Sequence, residues 1–374
     1  MVLLTAALAS ALVVSGCARD TGSSGGGTGG TGTDCTRNAA PAAGTGPAST
    51  APAPAPADAS ALKVGLAYDI GGRGDASFND AAATGLERAI SQLGLQQGNT
   101  SETSAAPNES EDAAAGRLRQ LVSGGFNPII AVGFKYASAV KTVATENPAV
   151  KFGIVDDDTV TLPNVTPLVF AEEQGSFLVG AAAALKTTSC SVGFVGGVET
   201  PLIQKFQAGF EQGAKAVAPN VKVDVKYISP AGDFTGFNDP TKATEITKGQ
   251  LDAGSDVIYH AAGASGQGVF QAVKAANKLA IGVDGDQYNS PQLTDVRDVI
   301  MTSMLKRVDV AVYDYINAVA AGDTSTLPKR FDLKVDGVGF STSGGKVDDV
   351  KGDLDAYKNA IINGSVTVSS TPTS

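Results

Sequence analysis

From residue 63 onward, short apolar runs alternate with segments in which apolar residues recur at helical spacing. The apolar runs are mostly continuous, which is typical of parallel strands covered by helices on both faces. Residues 221–227 alternate cleanly between apolar and polar positions, so we expect that strand at a more exposed edge. The predicted strands are 63–68, 128–132, 151–155, 191–195, 221–228, 256–262, 279–284 and 298–304. The predicted helices lie near 78–93, 112–123, 137–146, 172–186, 201–217, 241–253, 267–278 and 305–321, with one more after about residue 340.

The two halves of this pattern share one order of elements. "KVGLAYDIGG" and "FNDAAATGLERA" form a strand, a glycine turn and a helix with Gly85 near its middle, and "SVGFVGGVETPLIQKFQAGFEQGAKAV" repeats the order with Gly209. The alternative is chance similarity between two βα units. We predict an α/β fold of two Rossmann-like lobes joined by a hinge. Lobe 1 comprises 62–170 plus about 290–325, and lobe 2 comprises 171–289 plus part of 326–365 with the hinge crossings.

The N-terminal segment has a different composition. Residues 1–17 are an apolar run that ends in Val14-Ser15-Gly16-Cys17, which resembles the lipobox of a bacterial lipoprotein signal peptide. No Lys or Arg precedes the run, which leaves open a start upstream of Met1. Residues 18–61 are rich in Gly, Ser, Thr, Ala and Pro and predict a disordered tether. Lipidation of Cys17 would hold the protein to the outer face of the cell membrane.

Composition and charge narrow the function. Hydrophobic residues make up 43% of the 374 residues, and the formal net charge is −10. A surface of that sign disfavours nucleic acid and anionic lipid as partners. Two cysteines remain besides Cys17, and an extracytoplasmic location permits a Cys35–Cys190 disulfide. The alternative is two unpaired thiols.

Polar residues and an aromatic ring follow the first predicted strand. Ligands of open parallel sheets bind beyond the carboxyl ends of the strands. Asp69, Phe78 and Asn79 lie there, among glycines that permit close approach to a ligand. Asn79 can both donate and accept hydrogen bonds, which suits a base edge or a ribose hydroxyl. Phe78 either stacks on a planar ligand or packs on its own helix.

The second half offers matching candidates after its strands. Gly263 opens a glycine-rich loop, and Asp284 and Asp286 end a strand where carboxylates accept from ribose hydroxyls. Phe234 or Phe237 would supply a second stacking ring, and we favour Phe234. Lys306 could fix an acidic neighbour or donate to a hydroxyl, and its alternative is an exposed helical position. Asp156, Asp157 and Asp158 also end a strand, and we expect the last two in a solvated turn. His260 is expected to be structural.

The segments "DIGGRGDASFND", "VGFVGG", "AAGASGQG", "IGVDGDQ" and "TSMLKRVDVAVYDYI" together resemble the basic-membrane-protein family of bacterial lipoproteins. The resemblance covers about residues 63–340 and implies the type I periplasmic-binding-protein fold. It also implies a substrate-binding protein of an ABC importer, which binds a nucleoside between its lobes. Because the family includes purine-nucleoside-binding proteins, we expect a purine nucleoside. One aromatic ring from each lobe would stack on the base. The family motifs carry over to Asp69, Phe78, Asn79, Asp284, Asp286 and Lys306.

Two other functions are alternatives. A sugar or small-signal receptor has the same fold, and a metal-dependent nucleoside hydrolase would use aspartates at strand ends. With one histidine and no cysteine near the candidate site, no nucleophile–base set is evident. We therefore expect a non-enzymatic, monomeric receptor without metal or cofactor, whose partners are a nucleoside and a membrane permease.

Overall fold

The computed structural model describes residues 35–42, 55–106 and 108–372. Lobe 1 is built on a parallel sheet with strand order β2-β1-β3-β4-β5. Continuous apolar runs form its buried central strands, whereas β2, of sequence TSETS, forms one edge. The strands are β1 Val64–Tyr68, β2 Thr100–Ser104, β3 Ile129–Val132, β4 Phe152–Val155 and β5 Val165–Leu168.

Lobe 2 repeats this topology in a second sheet. Its order is β11-β10-β9-β8-β6-β7, parallel except for β11, which runs antiparallel to β10. The alternating strand predicted at 221–228 lies at the edge of the sheet, as expected. The two matching sheets confirm the predicted α/β fold with two Rossmann-like lobes. The strands are β6 Ser191–Val198, β7 Lys222–Ser229, β8 Val257–Ala261, β9 Leu279–Asp284, β10 Ile300–Lys306 and β11 Val338–Phe340.

Helices cover both sheets, and α2, α5 and α6 below begin at side-chain caps. Thr200 accepts from the Ile203 N–H and Asp239 from the Lys242 N–H, and each precedes a proline in the first helical turn. No helix in the described ranges combines the length and apolar character needed to cross a membrane. The helices are α1 Phe78–Gln92, α2 Glu111–Ser123, α3 Ala137–Glu146, α4 Glu172–Lys186, α5 Pro201–Val217, α6 Pro240–Asp252, α7 Gly266–Ala275, α8 Val308–Ala321 and α9 Lys351–Ile362.

The chain returns to lobe 1 later than the sequence predicted. We expected residues 290–325 in lobe 1, but β10 pairs in parallel with β9 inside the second sheet. Only α8 belongs with lobe 1, where it packs against α1. The apolar run of β10 is buried between neighbours in lobe 2, so strand pairing rather than chain order sets this boundary.

The two glycines that mark the internal repeat allow close helix packing. A Cβ on Gly85 of α1 would lie 2.5 Å from the Asp309 carbonyl oxygen of α8. A Cβ on Gly209 of α5 would lie 2.1 Å from the Glu173 carbonyl oxygen of α4. Both distances are too short for a carbon–oxygen contact, so glycine is required. In lobe 1, α1 thus packs on α8, which follows a strand of lobe 2, and in lobe 2, α5 packs on α4, which follows a strand of lobe 1.

Part of the predicted tether is bound to lobe 2. Cys35 forms the predicted disulfide with Cys190, which directly precedes β6. Arg37 donates to the carbonyl oxygens of Ala184 and Thr187 at the C-terminal end of α4, at 3.0 and 2.7 Å. These bonds satisfy carbonyl groups that a helix end leaves unpaired.

The next residues make similar contacts. Asn38 donates from its backbone and side chain to the carbonyl oxygens of Val217 and Ala216 at the end of α5. Residues 55–59 pack on lobe 1, where Asn317 of α8 accepts from Ala57 N at 2.7 Å. Disorder throughout 18–61 was therefore wrong for these stretches. The predicted signal peptide 1–17 and the lipidation site Cys17 lie outside the described residues.

Candidate functional site

A cavity lies where strand ends of the two sheets meet. Loops after β1, β3 and β4 contribute from lobe 1, and α5 with the ends of β8, β9 and β10 contributes from lobe 2. It contains about 580 Å³ of space between atoms, part of it continuous with solvent. The lining residues are Asp69, Ile70, Asp75, Phe78, Asn79, Gly133, Phe134, Asp156, Leu202, Ile203, Phe206, Phe237, Ala261, Ala262, Gly263, Val283, Asp284 and Lys306.

The loop between β1 and α1 is held by its own side chains. Asp75 accepts from the backbone N–H groups of Ser77, Asn79 and Asp80, and so caps the start of α1. The Asn79 side-chain oxygen accepts from Asp69 N at 3.0 Å, and its amide nitrogen donates to Asp75 at 3.1 Å. Asn79 lines the cavity as predicted, but these bonds occupy its oxygen and nitrogen within the loop.

Three phenylalanine rings surround the same cation, and two of them, Phe78 and Phe206, also line the cavity, whereas Phe170 does not. Phe78 of lobe 1 is half-buried, and its ring centroid lies 5.1 Å from Lys306 Nζ. Phe206 of lobe 2 lies 5.4 Å from the same atom and is buried. Phe206 was not a predicted site residue, because in sequence it is one more apolar position on an amphipathic helix. The arrangement places one ring from each lobe beside the cavity.

The predicted second ring, Phe234, does not line the cavity. Its ring packs on Phe134 at 5.9 Å, and Lys135 Nζ lies 4.4 Å from its centroid. The residue three positions later, Phe237, does line the cavity. In the short 3-10 helix Phe234–Phe237 the two rings differ in surroundings, which the sequence alone left undecided.

Asp156 and Asp284 occupy equivalent places at the ends of β4 and β9. Both have positive φ angles, 68° and 64°, a conformation that non-glycine residues rarely adopt. Such backbone strain is concentrated at binding sites. Ser77 Oγ of lobe 1 donates to Asp284 Oδ2 of lobe 2 at 2.5 Å, so this carboxylate connects the lobes.

Lys306 is the cation that balances these carboxylates. It ends β10 and is 2% exposed, rather than lying on an exposed helix. Its Nζ donates to Asp156 Oδ2 at 2.7 Å and lies 3.4 Å from Glu172 Oε1. Asp156 Oδ1 is buried and has no hydrogen-bond partner among the described residues. An unpaired buried carboxylate oxygen beside a cavity is available to a ligand donor.

Burial changes the protonation chemistry of the site. We call Asp69, Asp75, Asp156 and Asp284 the cavity carboxylates. Removal from water raises the pKa of each to about 6, because it disfavours the charged form. Burial alone would lower the pKa of Lys306, but Asp156, Glu172 and Asp284 outweigh it and raise that pKa to about 12. The cavity therefore offers hydrogen-bond acceptors next to a permanent cation.

Of two further predicted residues, Gly263 lines the cavity and Asp286 does not. Gly263 lines the cavity with a φ of 54°, and a Cβ there would meet the Phe237 carbonyl oxygen at 3.3 Å. Asp286 lies outside the cavity and accepts from Ser341 and Ser343 at 2.9 and 2.5 Å. The chain turns after β9, so Asp286 no longer shares the direction of Asp284.

Asp157, Asp158 and His260 also lie outside the lining. Asp157 accepts from Thr159 within its turn, and Asp158 is exposed. His260 is fully buried and contacts Gln287 Oε1 at 3.1 Å through Nε2. In the described ranges, no three His, Cys, Asp or Glu side chains are grouped so as to hold a metal ion.

Comparison with known proteins identifies the family. The family model of ABC transporter substrate-binding proteins, PnrA-like, matches residues 61–371. A CD4+ T-cell-stimulating antigen of Listeria monocytogenes is 36% identical over 322 residues, covering 83% of this chain and 88% of that protein. The ABC transporter nucleoside-binding protein BmpA of Lactococcus lactis is 30% identical over 323 residues, covering 83% and 89%.

Solved structures agree with this result. An ABC transporter solute-binding protein of Aeropyrum pernix K1 superposes with a TM-score of 0.68 at 27% identity, covering 82% of this chain and 92% of that one. One from Conexibacter woesei shares the fold, with a TM-score of 0.64 at 24% identity, covering 83% and 99%. The sequence match, the two-lobed fold and the interlobe cavity agree. The chain belongs to the PnrA-like family of ABC transporter substrate-binding proteins.

Proposed function

We propose that this protein is the extracytoplasmic receptor of an ABC importer and binds a purine nucleoside in the interlobe cavity. The observation that carries the proposal is the pair of rings, Phe78 and Phe206, contributed by different lobes and facing one buried lysine. A planar base between two aromatic rings gains roughly 1–3 kcal/mol per stacking contact. The Lactococcus lactis relative that is described as nucleoside-binding supports the same ligand class.

The polar groups suit the sugar of a nucleoside. Asp156 Oδ1 is unpaired and buried, and Asp284 ends β9 on the lobe 2 side of the same cavity, so both can accept from ribose hydroxyls. Lys306 can donate to a hydroxyl or a ring oxygen. Asp69 offers an acceptor for N–H groups at the base edge. A ligand with several donors and one flat face fits this set better than a purely apolar one.

The charge balance favours a nucleoside over a nucleotide. Four carboxylates and one lysine are the ionisable groups of the described lining. A phosphate would add negative charge next to those carboxylates, which costs free energy in a site of low dielectric constant. We therefore expect guanosine, inosine or adenosine to bind more tightly than the corresponding monophosphates.

The location follows from the N-terminal segment and the family. Lipidation at Cys17 would fix the protein to the outer face of the membrane, next to its permease. Related Pyrococcus proteins are described as lipoproteins, which supports this location. Mass spectrometry of the mature protein tests the anchor, since processing would remove residues 1–16 and leave an acylated Cys17 at the N-terminus.

Calorimetric titration tests the ligand. Purine nucleosides should release heat and saturate one site, whereas free ribose and nucleoside monophosphates should bind at least tenfold more weakly. Phe78→Ala should weaken nucleoside binding by about 1–3 kcal/mol, because it removes one stacking surface. Phe126→Ala is the matched control, since Phe126 is half-buried before β3, at the strand end opposite to the cavity, and does not line it. Saturable binding of a sugar with no heat from nucleosides would replace this proposal with the sugar-receptor alternative, and release of free base would indicate a hydrolase.

A further inference from the structure

Gln287 makes hydrogen bonds through its side-chain oxygen, its side-chain nitrogen and its backbone N–H just behind the cavity. It follows β9 in lobe 2 and is 2% exposed. Its side-chain oxygen accepts from Val283 N at 2.8 Å and lies 3.1 Å from His260 Nε2. Its backbone N–H donates to Ser303 Oγ at 3.2 Å. Its side-chain nitrogen donates to the carbonyl oxygen of Ala76 at 2.8 Å, and Ala76 belongs to lobe 1.

The partners fix the orientation of this amide. The backbone N–H of Val283 can only donate, so the Gln287 atom that faces it must be the oxygen. The Ala76 carbonyl can only accept, so the other amide atom must be the nitrogen. Because the same Gln287 oxygen faces His260, the proton of neutral His260 lies on Nε2.

His260 is itself held in place. Its ring packs edge-on against Phe270 at 4.9 Å. Gly266 leaves it just enough room, since a Cβ there would lie 2.1 Å from His260 Cε1. Burial lowers the pKa of His260 to about 4, so the ring is neutral near pH 7.

The Ala76 end of this chain of contacts reaches the ligand site. Ala76 has a φ of 55° and lies in the loop between β1 and α1. The next residue, Ser77, donates to Asp284, and Phe78 lines the cavity beside it. A bond to Ala76 therefore constrains the same loop that carries the lobe 1 ring.

We propose that Gln287 is a positioning residue for ligand capture: its side-chain amide, oriented by the Val283 N–H, holds the loop that carries Phe78 against lobe 2 when the receptor is closed. The inference rests on the proposed hinged receptor function. Contacts between lobes that exist only in the closed form raise the closed population and so tighten ligand binding. Gln287 touches Ala76 but does not line the cavity, so it acts on the ligand through lobe closure.

Gln287→Glu is the informative substitution. At neutral pH the carboxylate presents no donor to the Ala76 carbonyl and repels it, whereas the protonated acid can donate. The introduced group would lie beside neutral His260 and close to two carboxylates, Asp284, which accepts from Ser77, and Asp80, which accepts from Ala76 N. Burial and these negative charges should raise its pKa. We expect nucleoside affinity about tenfold or more below wild type at pH 7.5, and a ratio to wild type that approaches one near pH 5.

Gln287→Met separates this role from general packing. Methionine keeps the side-chain volume but has no hydrogen-bond donor, so the loss of nucleoside affinity relative to wild type should be the same at both pH values. Gln292→Ala is the control, because Gln292 also donates across the lobes, to Asp80 at 3.1 Å, but is exposed. Its affinity should stay within about twofold of wild type. Thermal unfolding of each variant at both pH values checks that the fold is intact.

A distance measurement reads closure without relying on nucleoside affinity. Spin labels at Lys141→Cys of lobe 1 and Lys248→Cys of lobe 2, both exposed, report the interlobe separation. Gln287→Met should shift the ligand-free distribution toward longer distances. If wild type binds nucleosides but the Gln287→Glu ratio is one at both pH values, and the distances of Gln287→Met match wild type, the positioning role is wrong. If wild type binds no nucleoside, the proposed ligand is wrong, and the distance shift alone decides the role of Gln287.

Discussion

The close approach of α4 and α5 allows a quantitative test at Gly209. The substitution Gly209→Ala adds one methyl group at a position where the Glu173 carbonyl oxygen would lie 2.1 Å away. The shortest favourable carbon–oxygen contacts are about 3.3 Å, so the two helices must separate locally by roughly 1 Å. The obstructing atom belongs to the backbone of another helix, so no side-chain rotation can relieve the overlap.

The expected magnitude comes from two opposing effects. Replacing a mid-helix glycine by alanine gains up to about 1 kcal/mol of helix propensity. Overpacking a buried contact costs about 1–3 kcal/mol, and more where backbone must move. We expect a net loss of about 2 kcal/mol in the free energy of unfolding. Phe206 lies three residues earlier on α5, so movement of the helix should also displace this ring and weaken ligand binding.

Urea unfolding followed by circular dichroism measures the first effect, and nucleoside titration the second. Gly249→Ala is the matched control: Gly249 is exposed within α6, and a Cβ there meets no atom within 4 Å. It should be neutral or stabilise by up to about 1 kcal/mol. If Gly209→Ala unfolds at the same urea concentration as wild type while the control behaves as expected, the packing explanation of the repeated glycine is wrong.

Three further predictions concern charge and covalent links. The cavity carboxylates have folded pKa values raised to about 6, so they bind protons more readily than in the unfolded chain, and the unfolding free energy should rise as the pH falls from 7 to about 5. His260 opposes this trend, because its lowered pKa means that the unfolded chain binds a proton more readily, but one group is outweighed by several. A lower unfolding free energy at pH 5 than at pH 7, measured by urea unfolding, would contradict the raised pKa values of the cavity carboxylates. Asp156→Asn should weaken nucleoside binding about tenfold or more in calorimetry, while the control Asp157→Asn, in the turn outside the cavity, leaves it unchanged. Replacing Cys35 and Cys190 together by serine should lower the unfolding free energy by about 2–4 kcal/mol in urea, and equal stability would assign the disulfide no structural role.

The fold was largely predictable because burial leaves a clear signal in parallel strands and amphipathic helices. β8 and β9 were continuous apolar runs, and α5 carried its cap, its proline and its apolar face in sequence. β2 and β11 were missed, since a polar edge strand and a three-residue strand have no distinct periodicity. The assignment of β10 to lobe 1 was wrong because strand pairing across a hinge is not encoded locally.

The candidate site was predictable only where strand ends determine position. Asp69 and Asp284 follow strands directly, and the general rule for parallel sheets places them at the cavity. Asp286 was predicted at the cavity but lies outside it, because the chain turns immediately after β9. Phe206 was not identifiable, since its exposure to the cavity depends on how α5 packs on α4. Phe237 lines the cavity and Phe234 does not, and this difference depends on the local path of one short turn.

The disulfide between Cys35 and lobe 2 sets how much of the N-terminal chain precedes the first covalent attachment to the folded body. Cys35 is 18 residues from Cys17, so covalent geometry alone keeps it within about 65 Å of that residue, whatever the path between them. Had the first attachment been at residue 61, the same limit would be about 160 Å. The attachment lies at the edge where β6 begins, and the cavity lies beyond the opposite strand ends. The proposed anchor at Cys17 would therefore be joined to lobe 2 through a residue at the strand ends opposite to the cavity, and by a much shorter chain than an attachment at residue 61 would allow.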